Sequence, residues 1–292
     1  MATSSIDYAI ECNFMNSMSP EDKTYRSHYK YELLLILNDD ISMLINSHKY
    51  EVPFGTLVLL NSHDLHLSLN NSRHSYKRVA IHFDPNLVRT YCTPNTNLLS
   101  CFHNRPTDVG NLLQLEEDIL KFIDLAIQFR PYWRSTHYGE DVLSVACLIQ
   151  ILVMVNRLYA FGTSVKPIRF TKLVSDIITY VDSHINEDLK ISKLAQAYSY
   201  TENYICSQFV RQTGITLKQY ILTKKLTLAK QFLENGLSVT ETAEACGFND
   251  YTNFIRTFKN HVGCSPAKWR KGYYICSNLA ECHIQDFSSF ME

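Results

Sequence analysis

The chain has 292 residues, 46% of them hydrophobic and 20% charged, with nine glycines and eight prolines. That length suits two domains with cores of their own, and the composition excludes collagen-like and disordered classes. The formal net charge of −1 argues on its face against a nucleic-acid binder, and the nine cysteines include no C-x-x-C pair that would signal a zinc module or a thioredoxin-like site.

Residues 1–20 carry acidic and polar side chains where a secretory signal needs a basic start and an apolar core. The longest apolar stretch, Val142 to Val155, is interrupted by Ser144 and Gln150 and is short for a bilayer span. A cytoplasmic protein with reduced thiols, away from membranes, is expected. Residues 24–90 read as β: the runs Glu32 to Leu37, Ile41 to Ile45, Thr56 to Leu60 and Lys77 to Phe83 are divided by turn clusters such as Asn38-Asp39-Asp40 and Pro53-Phe54-Gly55. Strands at that spacing predict a small sandwich or barrel. From Asn111 the period becomes helical. Leu112, Leu115, Ile119, Phe122 and Ile123 recur at that spacing, as do Val142, Val145, Ala146, Ile149, Leu152 and Val153. Two helices are expected there, the second either packing on the β domain or joining two copies of the chain through Ile149, Leu152, Val153 and Val155. Phe161 to Pro167 reads as a linker, and Phe170 to Lys271 as helical throughout, punctuated by Gly214, Gly236, Gly247 and Gly263.

Charge follows this division. Residues 166–272 carry a net +6, residues 1–165 a net −4, and the last twenty a net −3. A basic helical part joined to a mildly acidic β part is the asymmetry expected when one domain meets a polyanion.

Within the helical part a unit is duplicated. Leu194-Ala195-Gln196-Ala197-Tyr198-Ser199-Tyr200 aligns with Thr242-Ala243-Glu244-Ala245-Cys246-Gly247-Phe248 at an offset of 48, and Ile205, Phe209 and Gly214 align with Phe254, Phe258 and Gly263 at 49. Each copy reads as helix, tight turn at Ser199 or Gly247, second helix and glycine stop, the helix-turn-helix plan. Ser238 with Glu241 offers a capping box, and Thr201 and Asp250 are candidate N-caps. At about 100° per residue, Tyr204, Ile205, Gln208 and Phe209 should face inward in the first copy, and Asn253, Phe254, Thr257 and Phe258 in the second. Outward lie Asn203, Cys206, Ser207 and Val210, and Thr252, Ile255, Arg256 and Lys259. A recognition helix in the major groove presents such side chains to base edges: Arg256 to guanine, Asn203 to adenine, Ile255 or Val210 to a thymine methyl.

The run Ala243, Gly247-Phe248, Asp250, Phe254, Phe258-Lys259, Gly263 and Ser265-Pro266 resembles the signature of the AraC/XylS family of bacterial transcriptional regulators. The first copy matches through Leu194-Ala195, Thr201, Tyr204, Phe209 and Gly214, and Tyr220, Lys225, Leu226, Ala229 and Leu233 match the family's linker helix. Lys225 stands where the family usually has arginine, and Ser207 and Val210 where basic residues are common. The resemblance implies an α+β chain: a cupin-like sensor barrel over residues 1–110 with two flanking helices over 111–162, then an all-α tandem helix-turn-helix domain over 163–272. It leaves the tail 273–292 without a role. It further implies double-stranded DNA and RNA polymerase as partners and a homodimer, with an activator expected and repression left open.

Cupin metal sites use a His-x-His-x(3,4)-Glu cluster and a later histidine. Here Arg26, His28 and Glu32 occupy the first cluster and His66 follows; a cation at the Arg26 corner opposes a divalent ion. No metal or cofactor is expected. Arg26, His28, Tyr29, Tyr31, Glu32 and His66 are instead candidates for holding a small polar or anionic effector. The alternative is a metal-dependent cupin enzyme with an accessory helical domain. Against it, the sequence has no Gly-rich phosphate loop, nucleophile elbow or H-E-x-x-H motif, and catalysis is not expected.

Overall fold

The computed structural model describes residues 10–17, 30–46, 48–62, 64, 66–70, 76–103, 110–129, 137–161, 165–187 and 189–271. Eight strands occupy the amino-terminal part: β1 (Ile10–Ser17), β2 (Tyr31–Ile36), β3 (Ile41–Ile45), β4 (His48–Val52), β5 (Thr56–Leu60), β6 (His66–Asn70), β7 (Tyr76–Phe83) and β8 (Leu112–Gln114). They form two separate sheets, a five-stranded one in the order β1-β7-β2-β5-β8 and a three-stranded one in the order β4-β3-β6, with antiparallel pairing throughout. The expected barrel is therefore not closed: among the described residues no ladder joins the two sheets.

Alternation along the strands assigns each face. Leu34, Ile36, Val58, Leu60 and Ala80 of the large sheet share a core with Ile41, Met43, Ile45, Tyr50 and Val52 of the small one. The other face of the large sheet, with Leu33, Leu35, Leu57, Leu59, Val79 and Ile81, packs under helices. Both faces are covered, so β2 and β5 are apolar almost without interruption rather than alternating with polar residues.

The covering helices are short α1 (Asn86–Arg89) and α2 (Ser100–His103), then α3 (Ile119–Phe129) and α4 (Glu140–Phe161). Leu112, expected at the start of a helix, lies in β8, which pairs with β5; α3 begins at Ile119 after a short 3-10 turn. An edge strand of three residues has too few positions for period 2 to outweigh the helical spacing that follows it. By length and composition α4 could cross a membrane, which the sequence reading did not anticipate. Yet Leu148, Ile151, Leu152 and Val155 are fully buried against α3 and the large sheet. Packing on the β domain thus accounts for Leu152 and Val155. Exposed apolar side chains lie elsewhere, at Leu120, Val142 and Leu143.

Beyond the linker come α5 (Lys172–Ser183), α6 (Ile191–Ala197), α7 (Glu202–Thr213), α8 (Leu217–Glu234), α9 (Val239–Ala245), α10 (Tyr251–Val262) and α11 (Pro266–Arg270). The small sheet turns its outer face toward them. Leu44 and Leu67 belong to one core with Val174, Ile177, Leu194, Ile205 and Phe209, and Leu69 packs against it. Gly214, which ends α7 at φ +79°, lets the two parts close up: a Cβ there would lie 2.7 Å from Cδ1 of Leu69. The chain entering α5 is tied to the β domain as well, with Ile168 N–H donating to the Lys49 carbonyl at 2.6 Å.

Candidate nucleic-acid interface

Both copies of the duplicated unit fold as helix-turn-helix. The turn residues Ser199 and Gly247 both adopt left-handed backbone, at φ +57° and +65°, so the serine holds a conformation that glycine holds without a steric penalty. Each expected cap forms. Thr201 accepts from Tyr204 N–H at 3.3 Å and Asp250 from Asn253 N–H at 2.7 Å. The Ser238 hydroxyl accepts from Glu241 N–H at 3.2 Å while the Glu241 carboxylate accepts from Ser238 N–H at 2.8 Å. The Ser238 hydrogen bonds hold the Glu241 carboxyl below the usual carboxylate range. Gly214 and Gly263 end α7 and α10 in left-handed caps, with their N–H groups on the carbonyls of Val210 and Lys259.

Ile205 and Phe209 of α7, and Phe254 and Phe258 of α10, are fully buried. Opposite them Asn203, Ser207, Val210, Thr252, Arg256 and Lys259 are exposed, while Cys206 and Ile255 are half-buried, the latter packed on the second unit's core. The Arg256 guanidinium donates to Asn253 Oδ1 at 3.2 Å, and Thr257 donates to the same oxygen at 3.3 Å. Asn253, expected inward, is thus exposed and steadies Arg256 from one turn earlier.

Tyr204 also departs from its inward assignment. It is exposed and stacks on Tyr200, ring centroids 4.9 Å apart at 20°, at the leading end of α7. Tyr251 is exposed at the equivalent end of α10. Periodicity missed these tyrosines because an aromatic at helical spacing reads as core. The two thiols differ: burial pushes Cys246 up to about 12, whereas Cys206 sits half-buried on the outward face of α7.

The candidate effector residues divide. Arg26, His28 and Tyr29 lie outside the described residues. Tyr31 turns to the helix side of the large sheet, its hydroxyl 2.9 Å from His103 Nε2 and its ring against Phe83 and Phe102. Glu32, one residue on, points between the sheets and meets His66 Nε2 at 3.4 Å and His82 Nε2 at 3.3 Å. Antiparallel register aligns Glu11, His82 and Glu32 on three adjacent strands, and buried Lys30 pairs with Glu11. The Nδ1 of His66 lies 3.3 Å from the Asp64 carbonyl. Among the described residues no three such side chains are arranged to hold a metal ion.

A family model described as a helix-turn-helix domain matches residues 194–272. The chain is similar to YdiP of Escherichia coli, an uncharacterized HTH-type transcriptional regulator, with 28% identity over 132 residues that make up 45% of this chain and 44% of YdiP. That match spans less than half the length of the relative. The HTH-type transcriptional activator RhaR of Escherichia coli is 21% identical over 257 residues, covering 84% of this chain and 86% of RhaR. Among solved structures, ToxT of Vibrio cholerae bound to an unsaturated fatty acid aligns with 96% of this chain and 100% of its own at 14% identity and a TM-score of 0.40, too loose a likeness to bear on fold or ligand.

Proposed function

Because residues 194–272 form a helix-turn-helix domain of the AraC/XylS family, we propose that this chain is a transcriptional regulator that reads duplex DNA with α7 and α10 in adjacent major grooves. The observation that carries the reading is the duplicated, capped unit, which twice leaves a recognition helix with its polar side facing solvent. Lysines and arginines of the basic part neutralise phosphates and supply affinity for any sequence. The outward residues, Asn203, Cys206, Ser207 and Val210 on one helix and Thr252, Ile255, Arg256 and Lys259 on the other, supply choice of sequence. The two sets are unlike, so one chain reads a site without a palindrome.

Selection from a random duplex pool tests this. The expected product is a two-part motif whose halves are about 10 base pairs apart centre to centre. A pool that shows no enrichment over a salt-matched control would overturn the reading.

The amino-terminal part, in the same proposal, senses a small polar or anionic effector. The row Glu11, His82 and Glu32, with Lys30 and His66, is its site: charged groups buried in an apolar sandwich are expensive to keep there. Thermal-shift screening with carboxylates, phosphates and sugars checks this. Homodimerisation through the exposed surface at Leu120, Val142 and Leu143, contact with RNA polymerase as an activator, and a cytoplasmic location complete the proposal.

A further inference from the structure

The two helix-turn-helix units meet at the Gly247 turn, and a cation bridges them there. Lys225 lies midway along α8 (Leu217–Glu234) and is buried. Its ammonium donates to the Glu187 carbonyl, in the loop before α6, at 3.0 Å. It also donates to the Gly247 carbonyl, in the turn of the second unit, at 2.7 Å. The backbones abut at the same place: a Cβ on Gly247, at φ +65°, would lie 2.7 Å from the Asn186 carbonyl carbon. The Phe248 ring sits 5.6 Å from the ammonium, beside a cleft of about 460 Å³ that opens between the units.

A helix alone fixes the distance between two domains at its ends but leaves each unit able to rock about it. Two hydrogen bonds from one buried ammonium to carbonyls of opposite units remove that freedom, and charge-assisted bonds of this kind are about twice as strong as neutral ones. We propose that Lys225 is a positioning residue that sets the spacing and angle between α7 and α10, and so the number of base pairs between the two halves of the DNA site. The inference rests on the DNA-binding reading above.

The test uses the full chain and the duplex that it selects from a random pool. A ladder of duplexes adds or removes one or two base pairs between the halves, and two further duplexes carry one half each. Wild-type protein should bind its selected spacing about tenfold better than either neighbouring spacing, the gain expected when the second half binds intramolecularly in a matched geometry. For Lys225→Met, affinity for the selected duplex should fall about tenfold toward that of the off-register duplexes, with binding to single halves held within about twofold. Lys225→Arg, whose guanidinium can still donate to both carbonyls, should restore the preference. Gly247→Ala, which keeps the ammonium but forces a methyl against Asn186, should also flatten the ladder. Where Lys225→Met proves too unstable to measure, Lys225→Gln gives the same readout, because its shorter amide cannot reach both carbonyls.

A Lys225→Met protein that keeps the wild-type ladder, or that loses affinity for single halves in the same proportion as for the whole site, would overturn the inference while leaving the function intact. A wild-type chain that selects no sequence would remove both.

Discussion

The two helix-turn-helix units share a backbone and a set of caps, but they stand on different foundations. The first builds its core from α5, the start of α8 and the small sheet, with Leu44 and Leu67 reaching in beside Ile205 and Phe209. The second builds a smaller core from the later part of α8 and from α11, with Leu226, Ala229, Leu233 and Trp269 around Phe254 and Phe258, and among the described residues none of that core comes from the β domain. The duplicated sequence dictates the local hairpin; the neighbours supplied by the rest of the chain decide what each hairpin is fastened to. The anchored unit has the aromatic pair Tyr200 and Tyr204 at its leading end, and the other has Arg256 and Lys259 on its outward side.

Hydrogen exchange should separate the units most sharply. Phe258→Ala removes a fully buried ring that meets Phe254 and Trp269, and should cost about 3–5 kcal/mol. Protection should be lost from α9, α10 and α11 while α5, α7 and the sheets keep theirs. Uniform loss would mean that the two units open as one block and do not differ in anchorage. Leu67→Ala, at the seam between sheet and first unit, should cost about 2–4 kcal/mol and raise exchange in α5 to α7 but not in α10.

The second foundation also contains a buried charge of its own. Lys230 is buried 5.0 Å from the Trp269 ring, and burial lowers its pKa to about 8. Because the folded-state value lies below that of the unfolded chain, the unfolded chain binds more protons between about pH 8 and 10.5, so stability rises with pH across that window. Below about pH 8 the full penalty is present. Replacing Lys230 with methionine should abolish a rise of about 3 kcal/mol, measured by denaturant titration at each pH. An unchanged slope in the variant would assign the rise to other groups.

Reading of DNA should be similarly lopsided. Arg256→Ala should weaken specific binding by about 1–3 kcal/mol and relax preference at one base pair. Val210→Ala on the first unit should change it by less than about 1 kcal/mol. Equal losses on selected and random duplex would make Arg256 a phosphate contact only.

The helical part was legible in the sequence because what defines it is local. Caps, left-handed stops and the buried phenylalanines lie within a few residues of one another, and the repeat states them twice. The β part was legible only where a run was apolar. β4, with His48, Lys49 and Glu51, and β1, with Glu11 and Asn13, become strands through the partners they pair with, which no local pattern announces. The same holds inside the sandwich. Glu32 and His66 are candidates in the sequence, but His82 joins them through strand pairing with a residue fifty positions away, and Tyr31 leaves them because adjacent strand residues face opposite ways. Tyr204 and Asn253 fall on the wrong face of their helices for another reason: periodicity identifies the buried stripe but not how wide it is.

One strand does two jobs at once. On β6, His66 points into the sandwich beside Glu32, and Leu67, the next residue, plugs the foot of the first recognition unit. The interior of the sandwich and the core of the first helix-turn-helix unit are thus reached from neighbouring residues of one strand, a single peptide bond apart. Were the proposed effector to displace the His66 imidazole, the shift would reach Leu67 through the backbone of β6 itself, without passing through other side chains.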